Sequence, residues 1–142
     1  MSIVHPDIDK LLEAISIDKP VVLTRKGNII KIPYETRNID IFKQIIADNL
    51  FRVRIGNNNL ELLLFVDESS ISKRYYVCIG SKVNVSTKWA TVNDVLSGLR
   101  LRVKVPAIII DDCMIELEWS KSRFVLTPAS VRSCRRCQRV VL

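Results

Sequence analysis

One histidine, four glycines and nine aromatic residues among 142 positions leave several kinds of chemistry without their usual parts. Histidine triads and proton relays lack an obvious member, because His5 stands alone near the start of the chain. With glycine so scarce a phosphate cradle has little to be built from, and no P-loop, GxGxxG or GxSxG string occurs. No cofactor is expected, and the chain reads as a binding protein more than as an enzyme. The longest apolar run, Val105–Ile110, falls far short of the ~18 residues of a membrane span. The opening Met1-Ser2-Ile3-Val4-His5-Pro6-Asp7 has neither a basic nor an apolar leader region, so a cytoplasmic protein is expected.

Hydrophobic residues make up 48% of the chain and charged residues 26%, the balance of an ordinary globular protein. The net charge of +7 is the global feature that asks for a partner. It is unevenly placed. From Trp119 to Leu142 there are six cations (Lys121, Arg123, Arg132, Arg135, Arg136 and Arg139) and no anion, so residues 1–118 carry only +1. A basic segment on a near-neutral body points to a polyanion, with a merely solvated tail as the bland alternative.

Hydrophobic spacing predicts a helix around Ile8, Leu11, Leu12 and Ile15, closed by Pro20. Val21–Thr24 and Ile29–Ile32 flank Gly27-Asn28 and read as a hairpin ended by Pro33. A second helix is expected from an Asn38 cap to about Asp48. Phe51–Ile55 and Leu60–Val66, around Gly56-Asn57-Asn58-Asn59, carry the clearest hairpin signal. Short strands at Tyr75–Ile79 and Val83–Val85 follow, and Thr91-Val92-Asn93-Asp94 resembles a cap opening a third helix that stops at Gly98. Leu99–Val105 alternates strictly before Pro106 interrupts it. Ile108–Ile110 and Cys113–Trp119 form a hairpin about Asp111-Asp112, and Phe124–Leu126 adds an edge strand. Thr127-Pro128 opens a final helix carrying Arg132, Arg135, Arg136 and Arg139 along one stripe. The expected architecture is α+β: a mainly antiparallel sheet with helices on one face over residues 1–126, and a basic amphipathic helix at 127–142 packed on the same domain.

Two strands place cations at every second position, Arg52 and Arg54 on one, Arg100, Arg102 and Lys104 on the other. Such a row repeats at ~6.6 Å, close to the phosphate spacing of an extended single strand. Outward polar residues are also what any half-buried strand shows, and Glu61, Glu116 and Glu118 are available as partners. Tyr75 and Trp89, each beside cations, are the candidates for base stacking. The leading expectation is a non-enzymatic nucleic-acid-binding protein, for DNA or RNA, making single-stranded or backbone-level contacts. Arg52, Arg54, Arg100, Arg102 and Lys104 would line the path, Tyr75 and Trp89 would stack, and Arg132, Arg135, Arg136 and Arg139 would clamp. A homo-oligomer or interaction module joined through sheet edges is the alternative. A third reading is a metal-dependent nuclease using Asp111, Asp112, Glu116 and Glu118, whose spacing does not match a restriction-type motif. No metal site is expected: Cys134-Arg135-Arg136-Cys137 lacks the second closely spaced pair that structural zinc commonly uses, and Cys78 and Cys113 are isolated. Without a leader, the four cysteines read as free thiols, with disulfides left open.

Overall fold

The computed structural model describes residues 21–25, 29–55 and 57–140. The helix expected over Ile8–Ile15 and the turn at Gly27 lie outside the described residues. Twelve strands and two helices are described, so the protein is mostly β, and the α+β expectation of helices covering a sheet is overturned.

The largest sheet is centred on β5 (Asn58–Asp67), which is buried from Leu62 onward. Its unbroken apolar run, Leu62–Val66, has the pattern of a strand covered on both faces. Leu63 and Phe65 enter the main core, while Leu62 and Leu64 join a second cluster with Phe51, Val77 and Val140. β4 (Phe51–Ile55) pairs antiparallel with the first half of β5, forming the expected hairpin, and β1 (Val21–Arg25) adds beyond β4. β2 (Ile30–Ile32) lies parallel to the second half of β5, with Ile30 opposite Phe65. The predicted hairpin between the segments now seen as β1 and β2 does not form: each finds a partner elsewhere in the sheet. β6 (Arg74–Gly80) pairs along the other side of β5.

Past β2 the chain makes β3 (Tyr34–Thr36) and enters α1 (Ile39–Asp48). Asn38 caps α1 as expected, its side chain accepting from the backbone N–H groups of Asp40 and Ile41. Phe42 and Ile46, one turn apart, are buried, and Phe42 packs 5.7 Å from the Tyr34 ring. The rest of this core is supplied by two small sheets. One orders β7 (Val83–Asp94), β8 (Leu99–Ile110) and β9 (Cys113–Glu116); the other orders β10 (Glu118–Ser120), β11 (Arg123–Leu126) and β3. β11 is therefore the middle strand of its sheet, where an edge strand was expected.

The third predicted helix is absent. Thr91–Asp94 completes β7, and the carboxylate of Asp94 accepts from Leu96 N–H in a turn closed by Gly98 N–H to Asp94 C=O at 2.8 Å. Gly98 has φ of +69°, a value glycine adopts without the Cβ penalty, which suits reversal of the chain. Nor does Pro106 stop the second strand, since β8 runs through it with Pro106 opposite Thr87.

The basic C-terminal helix is likewise overturned. Thr127 caps and Pro128 opens α2, but the helix ends at Arg132, and Cys137–Val140 forms β12, antiparallel to β6. Continuing the helix would have stacked like charges at i, i+3 and i+4, which is unfavourable. The extended route instead buries Val140 and joins Cys137 to Cys78. A second disulfide links Cys113 to Cys134. The four described cysteines are all paired, so the free-thiol reading is corrected.

At one end of the core, Asp111 fastens two turns together. Its carboxylate accepts from Ser81 N–H, from Ser81 Oγ–H at 2.7 Å and from Lys82 N–H at 3.1 Å. Gly80 makes the close approach possible: a Cβ there would lie 2.7 Å from Ile110 Cγ2. Hydrogen bonds from the Ser81 side chain and backbone, helped by Arg136, hold the Asp111 carboxyl below the ordinary aspartate range. A carboxyl depressed by folding stabilises the protein above its unfolded pKa of about 4, and the gain is lost as pH falls through the folded value. Asp111→Asn should therefore flatten the loss of stability below about pH 4. Urea midpoints measured across that acid range test this; an unchanged acid limb would refute it.

Candidate nucleic-acid interface

β7 and β8 pair over their full length, from Val83 opposite Ile110 to Asp94 opposite Leu99. Directly opposed residues share a face. One face therefore carries Val83, Val85, Thr87, Trp89, Thr91 and Asn93, matched with Ile110, Ile108, Pro106, Lys104, Arg102 and Arg100. At its base this face is core: Val83, Ile108 and Ile110 are buried. Further out the same face meets water, and Trp89 is 56% exposed. On the opposite face the β7 side chains Asn84, Ser86 and Lys88 are exposed at the base while Val105 and Ala107 of β8 are buried; farther out Ala90, Val92, Leu101 and Val103 are half-buried and Asp94 is buried. Right-handed strand twist supplies the reason, because a long two-stranded ribbon turns its faces as it leaves the core. Ser122 Oγ–H donates to Asp94 at 2.8 Å and fixes the distal half against the β10–β11 turn.

The exposed half is chemically uniform. Arg100, Arg102 and Lys104 stand at alternate positions of β8, spaced by ~6.6 Å, with polar Asn93 and Thr91 and the Trp89 indole across from them. Arg102 Cζ lies 5.3 Å and Lys104 Nζ 5.2 Å from the Trp89 ring centroid. Cation–π attraction of this kind gathers two positive groups onto one aromatic surface. Among the described residues no carboxylate pairs with Arg100, Arg102 or Lys104.

The remaining candidates are elsewhere. Arg52 and Arg54 lie on β4, in the large sheet, opposite Glu61 and Asn59; Arg52 Nε is 3.7 Å from Glu61. The two basic rows thus belong to different sheets and do not adjoin as paired strands. Tyr75 is half-buried against the second cluster, a packing role. Arg132 donates to Tyr76 Oη at 3.4 Å. Arg135 pairs with Asp112, and Arg136 with both Asp111 and Asp112. Arg139 sits exposed on β12 opposite Tyr76. The predicted clamp is therefore divided, and two of its arginines are already engaged by the acidic turn at Asp111 and Asp112.

Thr87, Thr91 and Asn93 were missed by the sequence reading, which cut β7 short at Val85. The alternation of Val83-Asn84-Val85-Ser86-Thr87, rich in β-branched residues, carried the signal for a longer strand. The four carboxylates of the nuclease reading fall in two places: Asp111 and Asp112 serve the turns, while Glu116, which pairs with Lys88, and Glu118 both line an open groove of about 370 Å³ with Met114 and Ser130. Among the described residues no three His, Cys, Asp or Glu side chains gather as a metal site, and no helix is long and apolar enough to cross a membrane. Comparison with protein-family models, with curated proteins and with solved structures finds no match to this chain.

Proposed function

We propose that this protein binds nucleic acid through the exposed face of the β7–β8 hairpin, as a binding protein without catalytic chemistry. The observation that carries the reading is the half-exposed Trp89 indole with Arg102 and Lys104 beside it, on a row of cations with no acidic partner among the described residues. Single strands suit this surface, since unpaired bases offer a ring to Trp89 while successive phosphates meet Arg100, Arg102 and Lys104. The contacts are to the backbone and to aromatic faces, so sequence preference is weak.

Anisotropy of a labelled single-stranded oligonucleotide, titrated at several salt concentrations, tests the proposal. Three phosphate contacts predict a log–log salt slope of about −2 for a single strand. Arg100→Ala, Arg102→Ala and Lys104→Ala combined should bring that slope toward zero. Absence of binding even at low salt sinks the reading.

Residence in the cytoplasm fits such a partner. The two disulfides narrow that setting to one that spares them, as in the disulfide-rich interior of hyperthermophiles. A second reading rests on β7 itself, which among the described residues has only β8 beside it and so leaves a long strand edge open to a second copy. Light scattering that finds a stable dimer indifferent to nucleic acid would favour it.

A further inference from the structure

The distal half of the β7–β8 hairpin holds a second feature that the row of cations does not explain. Val95, Leu96 and Leu99, at its tip, are 85%, 69% and 59% exposed. With Trp89 they make up four of the seven large hydrophobic side chains exposed among the described residues. The turn that bears them is held by its own hydrogen bonds: Leu96 N–H to the Asp94 carboxylate, Gly98 N–H to Asp94 C=O and Leu99 N–H to Ser97 Oγ. Asp94 is in turn tied to Ser122. The apolar side chains are thus presented on a fastened turn at the end of a charged track.

We infer that Val95, Leu96 and Leu99 act as a wedge that inserts between bases at the end of the nucleic-acid strand bound along Arg100, Arg102 and Lys104. This rests on the function proposed above and specifies the ligand more closely. The order along the hairpin carries it. Lys104, Arg102 and Arg100 succeed one another toward the tip; the turn bearing Val95 and Leu96 lies beyond them, and Leu99, opposite Asp94, stands on the other face of the hairpin end. A strand whose phosphates follow that row delivers its next base to the apolar turn. Apolar side chains open a base step at the cost of unstacking, which is least where the stack is already interrupted. The preferred ligand is therefore a single strand adjoining a duplex end or a bulge. A lipid surface suits this arrangement less well: with the tip inserted the hairpin axis would run away from the single layer of phosphates, and these cations are strung over about 13 Å along that axis.

The test uses the whole protein and an oligonucleotide that has a single-stranded tail, a duplex and 2-aminopurine at their junction. Wild-type protein is expected to raise 2-aminopurine fluorescence and to prefer the junction over continuous duplex by about tenfold. The double variant Leu96→Ser, Leu99→Ser should retain single-strand affinity and its salt slope while losing the fluorescence change and the preference. Circular dichroism of the variant checks that it folds, and Val95→Ser provides an independent substitution at the tip. A variant that matches wild type in both readouts overturns the wedge and leaves the binding face intact. No affinity for any of these oligonucleotides overturns the proposed function itself. Binding to phosphatidylserine vesicles that the tip variant loses, without any 2-aminopurine response in wild type, assigns the tip to lipid and overturns the inference.

Discussion

Reduction of the two disulfides is expected to lower the unfolding free energy by several kcal/mol. Cys78 and Cys137 are 59 residues apart and Cys113 and Cys134 are 21 apart. In the chain-entropy account, cross-links closing loops of those lengths contribute about 4 and about 3 kcal/mol. The second loop lies inside the first, so their sum is an upper bound. The location raises the stakes. Both bonds anchor the C-terminal segment, one fastening β12 to β6 in register and the other holding the turn after α2 to β9. That segment buries Val131, Cys134, Cys137 and Val140. Urea unfolding with and without dithiothreitol should show the midpoint falling together with the appearance of four thiols. Cys113→Ala with Cys134→Ala should lose less than Cys78→Ala with Cys137→Ala. Unchanged midpoints after verified reduction would sink this account. The same contacts make residues from Thr127 onward part of the folded body, because truncation there strips buried side chains from the core.

Trp89→Ala is expected to weaken single-strand binding by roughly tenfold to a hundredfold, since stacking of a base on an aromatic side chain contributes about 1–3 kcal/mol. Trp89→Phe should recover most of the affinity, because a flat ring remains available. Stability should move little in either variant, as the indole is more than half exposed and surface substitutions usually stay within about 0.5 kcal/mol. The salt slope should persist in Trp89→Ala, for it reports phosphate contacts and not stacking. Arg135→Ala serves as the contrast. Its guanidinium is already paired with Asp112, so its loss should leave affinity near wild type. Equal binding by Trp89→Ala and wild type would remove the stacking role.

The local pattern of several elements was legible from the residues. The Asn38 cap and the spacing of Phe42 and Ile46 placed α1, and alternation across Phe51–Ile55 placed β4 beside β5. Elsewhere local signals pointed the wrong way. Thr91–Asp94 has the composition of a helix cap, yet its carboxylate serves a hairpin turn and a distant serine, Ser122. Arg132, Arg135, Arg136 and Arg139 have helical spacing, but strand pairing with β6 and the bond to Cys78 oppose a longer helix. Such contacts join residues far apart in sequence, so a window of neighbours does not contain them.

The alternating row Arg100, Arg102 and Lys104, the presence of Trp89 and the concentration of positive charge toward the C-terminus are legible in the residues alone, because composition and period two are local properties of the chain. Tertiary structure decided which of these charges face outward without an acidic neighbour. Folding brings Asp111 and Asp112 against Arg135 and Arg136, so part of the C-terminal surplus is balanced in space although not in sequence. It also carries one face of β7–β8 from the core into water, joining Trp89 to the cations of β8. Register and twist make that juxtaposition, and both depend on the pairing of whole strands.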